Sequence, residues 1–145
     1  MEEVGVIGAG SWGTTLANLL AEKGCRVDLW VREEEVYEQI RRERINRVFL
    51  PGTHLHSRVR PVRATEEALA AKEVIVLAVP SHVFRQMLYR IKDSLSPRTA
   101  LVSATKGIEN ETLKTMSLVA EDVLGAEGGE RFACLAGPSF AREVA

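Results

Sequence analysis

An alternation constrains this chain more than any other feature. The short runs VGVI (4–7), RVDLWV (26–31), VRPV (59–62), EVIVLAV (73–79), TALVSA (99–104) and FACLA (132–136) read as strands. The middle ones are nearly all apolar, as strands covered on both faces must be. Between them, amphipathic spacing predicts helices over 13–23, 33–45, 65–71, 82–93 and 112–124. In the fourth, Phe84, Met87, Leu88 and Ile91 recur at helical spacing, which predicts a core-facing stripe. Thr65 and Ser81 stand where N-caps would open the third and fourth helices. Strand, helix, strand in repeated order implies right-handed crossovers. The expected fold is therefore α/β, a doubly wound, mostly parallel sheet with helices on both faces.

At 145 residues and 46% hydrophobic, the chain can bury one core, so residues 1–145 are read as one domain. The 19 Lys+Arg against 20 Asp+Glu leave a formal charge of -1, which argues against a broad nucleic-acid footprint. Cys25 and Cys134 show neither metal-ligand spacing nor a disulfide framework, and buried apolar roles are expected for them. No apolar run reaches the roughly 20 residues of a membrane span, and MEEVGVIG is no secretory signal. These features predict a cytoplasmic location. The final GPSFAREVA has the pattern of a helix just begun, so a continuation into a second domain is expected.

Gly8, Gly10 and Gly13 form G-x-G-x-x-G directly after the first strand and before the first helix. In that setting the pattern is the Rossmann-type fingerprint for a dinucleotide. Gly8 would permit the tight turn, Gly10 would let main chain approach a pyrophosphate, and Gly13 would let the helix pack close to the sheet. The helix from Ser11 onward would aim free N–H groups at the phosphates, and Gly24 would close it in a left-handed cap. An acidic residue about 20 positions on, at the end of the second strand, commonly accepts from the ribose 2′-OH of NAD. Here that end carries Arg32 and then Glu33, while Asp28 comes too early in the strand. An arginine there can pair with a 2′-phosphate, which favours NADP, and Glu33 leaves NAD open. A merely solvated Arg32 is the competing reading.

Other positions are ambiguous from the residues alone. AVPSH (78–82) ends the fourth strand at the edge where open α/β sheets bind ligands, and its His82 reads as a helix-start residue rather than a proton shuttle. Lys106, beside a turn-forming Gly107, could meet a substrate phosphate or hydroxyl, but isolated lysines are usually solvated. Ser139 reads first as an N-cap. Phe49 and Leu50, before Pro51 and Gly52, read as a loop folded back on the sheet by packing.

Six segments together resemble one family, the bacterial-type NAD(P)-dependent glycerol-3-phosphate dehydrogenases. They are GAGSWGT (8–14), LWVR (29–32), NRVFLPG (46–52), AVPSH (78–82), SATKGIE (103–109) and LAGPSFAREVA (135–145). The resemblance covers what would be the N-terminal dinucleotide-binding domain. It implies cofactor contacts at Ser11, Trp12, Arg32, Lys106 and Ala141, beside the glycines. It also implies glycerol 3-phosphate contacts at Lys106, Gly137 and Ser139. Trp12 would border the cofactor, with anchoring of the first helix as the other reading. The implied reaction is reversible reduction of dihydroxyacetone phosphate to sn-glycerol 3-phosphate with NADPH or NADH, feeding glycerophospholipid synthesis. The family's proton-accepting lysine lies in a mainly helical C-terminal domain, so no residue up to Ala145 matches it. The matched segment alone would bind dinucleotide without turnover. A homodimer of the full-length protein is compatible with the resemblance. Two alternatives stand beside it: a dinucleotide sensor without chemistry, and a related β-hydroxyacid dehydrogenase. The residues beyond Ala145 would discriminate the first, and a substrate assay the second.

Overall fold

The computed structural model describes residues 2–137 and 140–145. Its chain order begins β1 (Glu3–Ile7), α1 (Ser11–Glu22), β2 (Arg26–Trp30), α2 (Glu34–Glu43). A small hairpin follows, β3 (Ile45–Asn46) with β4 (Leu50–His54), and then β5 (Val59–Val62) and α3 (Thr65–Leu69). The second half is β6 (Val74–Leu77), α4 (Ser81–Ile91), β7 (Ala100–Ser103), α5 (Met116–Glu130), β8 (Phe132–Cys134) and α6 (Ala141–Val144). Six strands form one sheet in the order β5-β2-β1-β6-β7-β8. All its pairings are parallel. The expected α/β doubly wound, Rossmann-type architecture is what the chain adopts.

Two apolar layers hold the sheet between helices. One face carries Ile7, Trp30, Ile75, Leu77 and Leu101 under Phe84, Met87, Leu88 and Ile91 of α4. The other carries Val4, Val6, Val27, Leu29 and Val59 under Leu16, Ala17 and Ala21 of α1 and Val36 and Ile40 of α2. Strand residues alternate between these faces, which is the two-residue period of a pleated sheet filled on both sides. Gly24, at φ 104, ends α1, and its N–H donates to the Ala21 carbonyl. That is the left-handed stop its sequence position predicts.

Several local expectations are corrected. Neither Thr65 nor Ser81 caps a helix: each is the first residue of its helix, behind an extended Ala64 and Pro80. Thr65 donates to the Glu66 carboxylate instead. The fifth helix starts at Met116, since residues before it turn back into an isolated antiparallel bridge between Ile108 and Thr115. It then runs to Glu130 across a kink at Gly125, whose φ of 73 breaks the helical path. Residues 46–52 belong to the β3–β4 hairpin rather than to an irregular loop, while Phe49 packs against the core and Leu50 is buried, as expected. Cys25 is buried as expected, whereas Cys134 is exposed.

Candidate functional site

Because the six strands are parallel, their carboxyl ends share one edge, and β1 and β6 lie side by side at its centre. The chain leaves β1 toward β2 on one side and reaches β6 on the other, so this is the topological switch point where such sheets take ligands. The glycine loop stands there. Gly8 sits at φ 115, a conformation that a side chain would strain. A Cβ on Gly13 would lie 1.9 Å from the Gly8 carbonyl oxygen, so helix and strand end approach as closely as backbone allows. A Cβ on Gly10 would meet nothing within 4 Å. The first two glycine requirements are internal to the fold, while the third opens outward. The N-cap of α1 is Gly10, which has no side chain to cap the helix. Its first-turn N–H groups have no intrahelical acceptors and suit an anion.

Beside this loop lies a cleft of about 790 Å³, a size typical of small-molecule sites. Trp12, Lys106, Gly107, Cys134, Leu135 and Gly137 are among its lining residues. The Lys106 ammonium lies 5.5 Å from the Trp12 ring centroid, a cation–π distance. The indole also packs on the α1-side core, so Trp12 both anchors the helix and walls the cleft. Gly107 adopts φ 94, a left-handed turn directly after Lys106, which follows the end of β7.

That turn is braced at both ends. The Thr105 hydroxyl donates to the Val79 carbonyl at 2.8 Å, tying the end of β7 to the end of β6. Farther along, the Arg85 guanidinium donates to both Glu109 oxygens at 2.7 and 2.9 Å and to Asp122 at 2.9 Å. Hydrogen bonds from Arg85, with a further one from Thr112, hold the Glu109 carboxyl down to about 2. A second depression, about 630 Å³, opens at the amino edge among Glu3, Asp28, Arg60 and Lys72. Its charges satisfy one another: the Asp28 carboxylate takes Arg60 at 2.7 Å and Lys72 at 2.7 Å. Burial alone would raise the Asp28 carboxyl, but Arg60 and Lys72 outweigh it and hold the group below its ordinary value. This explains why an acid occurs in the middle of β2: it neutralises the buried Lys72, and has no part in the carboxyl-edge cleft.

A family model described as NAD-dependent glycerol-3-phosphate dehydrogenase N-terminus matches residues 3–145. The chain belongs to this family. A glycerol-3-phosphate dehydrogenase (NAD(P)+) of Geobacter metallireducens is 52% identical over 144 residues, covering 99% of this chain and 43% of the relative. One from Geobacter sulfurreducens is 50% identical over 143 residues, with the same 99% and 43% coverage. Among solved structures, a glycerol-3-phosphate dehydrogenase from Coxiella burnetii superimposes with TM-score 0.87 at 29% identity, over 99% of this chain and 43% of that one. One from Saccharomyces cerevisiae gives TM-score 0.86 at 26% identity, over 99% and 44%. The chain thus spans 43% of the length of the curated relatives named here.

Of the positions that the glycerol-3-phosphate dehydrogenase resemblance singles out, the fold gathers Trp12, Lys106 and Gly137 around one cleft. Ser11 opens α1 next to Gly10, with its carbonyl taking the Thr15 hydroxyl at 3.0 Å. The Thr15 hydroxyl also lies 3.2 Å from the Ala141 carbonyl, which sets the start of α6 against α1. Arg32 follows β2, the strand paired with β1, and therefore leaves the sheet at the same edge as the glycine loop. It does not line the cleft; its exposed guanidinium donates to Glu33 at 2.9 and 2.7 Å. Ser139 lies outside the described residues. Sequence reasoning missed Arg63, which donates to the carbonyls of Val31 and Arg32 at 3.1 and 2.7 Å and fixes the turn carrying Arg32. It also missed Thr105 and Asn46. Their partners are distant in sequence, and no local pattern marks them. Among the described residues no helix is long and apolar enough to cross a membrane.

Proposed function

We propose that residues 1–145 form the NAD(P)-binding domain of a glycerol-3-phosphate dehydrogenase, which interconverts dihydroxyacetone phosphate and sn-glycerol 3-phosphate. The observation that carries this reading is the convergence of Trp12, Lys106 and Gly137 on the cleft beside the uncapped start of α1. The fit to a dinucleotide rests on Gly10: the space beyond its Cα is open, while Gly8 and Gly13 are closed against neighbouring backbone. Bound NADH or NADPH would supply the hydride for reduction, and NAD or NADP would accept it in the reverse direction.

The chain's own residues bind and orient. Gly8, Gly10, Ser11 and Gly13 offer main chain and a small hydroxyl to the diphosphate. Arg32 faces the adenosine end, where its guanidinium can turn from Glu33 to a 2′-phosphate. Trp12 forms an apolar wall and steadies the Lys106 ammonium against its ring. Lys106 is then placed to hydrogen-bond the substrate hydroxyl or offset its phosphate charge, with Gly137 and Ser139 seating the substrate and Ala141 bordering the cofactor. The proton is handled by a lysine in a following, mainly helical domain, so the segment up to Ala145 binds without turning over. The protein is cytoplasmic, and its full-length form is free to pair as a homodimer. Assaying the full-length protein with dihydroxyacetone phosphate and NADPH or NADH tests the reading. Substrate-dependent loss of nicotinamide absorbance supports it, and none with either cofactor contradicts it.

A further inference from the structure

We infer that Asn46 is a positioning residue for the dinucleotide: from the β3–β4 hairpin it fixes the peptide between Ala9 and Gly10 so that the Gly10 N–H points into the phosphate site. The inference rests on the dinucleotide reading above. Asn46 is fully buried, which is uncommon for an amide side chain. Its Nδ2 donates to the Ala9 carbonyl at 3.0 Å and to the Thr14 hydroxyl at 2.8 Å. The Thr14 hydroxyl, also fully buried, donates in turn to the same Ala9 carbonyl at 3.1 Å. Both lone pairs of that carbonyl are thereby engaged. The remaining Asn46 oxygen accepts the Phe49 N–H at 3.0 Å, which locks the amide in one orientation.

The consequence follows from peptide geometry. A trans peptide is planar, with its C=O and N–H on opposite sides, and no cis bond occurs among the described residues. Drawing the Ala9 oxygen inward toward Asn46 and Thr14 therefore turns the Gly10 N–H the opposite way, away from these buried side chains, and the space that a Cβ on Gly10 would enter is also open. If this peptide flipped, a carbonyl oxygen would face the diphosphate in place of a donor. The flip would be easier here without a clamp, since Gly10, on one side of this peptide, lacks the side chain that restricts backbone rotation. The hairpin's own geometry serves this clamp, because its register shifts between Ile45 and Asn46, a bulge of the kind that re-aims a side chain. Residues 46–52 are in this way the back support of the glycine loop.

The test uses the protein at its full natural length, by calorimetric titration with NADPH, NADH and ADP-ribose and by competition with adenosine, which lacks the diphosphate. Asn46→Ala is expected to raise the dissociation constants of the dinucleotides and ADP-ribose at least tenfold and to change that of adenosine less than twofold. Asn46→Ala could fail to fold, so Thr14→Val, nearly isosteric and lacking one of the two donors to Ala9, carries the same comparison with at least a threefold loss expected. Ile40→Val, a buried change on α2, controls for general loosening and should leave all ligands unchanged. A smaller loss for the diphosphate ligands in the folded variant, or an equal loss for adenosine, overturns the positioning role. If the unaltered protein binds neither dinucleotide, the underlying reading fails, and this inference with it.

Discussion

A single methyl group placed at Gly13 or at Gly10 should separate the two duties of the glycine loop, one to the fold and one to the ligand. At Gly13 the new carbon would sit 1.9 Å from the Gly8 oxygen, 3.0 Å from the Gly8 carbonyl carbon and 3.1 Å from the Ala78 Cβ. The nearest atom is backbone, so no rotamer change relieves the clash, and α1 must lift from the sheet. Overpacking of this kind costs roughly 1–3 kcal/mol or more, and the gain in helix propensity returns at most about 1 kcal/mol. A net loss of about 2 kcal/mol corresponds to a Tm roughly 8 °C lower for a domain of this length. At Gly10, φ is -67 and nothing lies within 4 Å. There the reduced freedom of the unfolded chain, about 0.4–1 kcal/mol, offsets a loss of roughly 0.5–1 kcal/mol for a poorer N-cap residue. The Gly10→Ala Tm should therefore stay within about 2 °C of the parent. Its dinucleotide dissociation constant should nevertheless rise at least tenfold, because the methyl occupies the space where main chain would meet the diphosphate. Thermal unfolding and calorimetric titration of the 145-residue chain read both quantities. Gly10→Ala that binds as tightly as the parent, or Gly13→Ala that melts at the same temperature, would refute the reasoning.

Other perturbations address the surrounding parts. Arg32→Ala should weaken NADPH at least tenfold while leaving NADH within about threefold, as read by titration, if the guanidinium meets a 2′-phosphate. Asp28→Asn should destabilise the fold by about 3 kcal/mol in denaturant unfolding, since it strips the buried Lys72 of its 2.7 Å partner and leaves Glu3 at 3.3 Å. Dinucleotide affinity should be unchanged, because this cluster lies at the opposite edge from the glycine loop. The Glu109 carboxyl, lowered from 4.5 to about 2, stabilises the fold fully above pH 4.5 and loses that contribution as pH falls toward 2. Arg85→Met should therefore be less stable than the parent at neutral pH, with the gap closing below pH 4.5. A gap that stays constant down to pH 3 in urea titrations would show that Arg85 does not act through that carboxylate.

Most of the sheet is legible in the sequence because its signals are local. Runs such as EVIVLAV and the glycines at 8, 10 and 13 carry their meaning within a few residues, and the parallel order follows from alternation. The β3–β4 hairpin is not legible: β4 reads LPGTH, and proline with glycine signals a turn rather than a strand. It forms because Asn46 and the buried Leu50 tie it down, not because its residues favour extension. The start of α5 escapes a local reading for a related reason. The residues 112–115 lie in a braced turn, where Lys114 pairs with Asp122 at 2.6 Å. At the site, Trp12 and Lys106 can be named from the resemblance, but their stacking, and the clamps by Asn46, Thr105 and Arg63, join residues far apart in the chain. Only folding brings those partners together.

A crystal structure of the protein with bound NADPH or NADH tests the central claim most directly. The diphosphate should lie against the main chain of residues 8–13, with oxygens about 3 Å from N–H groups at the start of α1 and the nicotinamide end reaching the cleft of Trp12 and Lys106. A dinucleotide seated at the amino edge beside Asp28 and Lys72, or a diphosphate turned away from the glycine loop, would contradict the account.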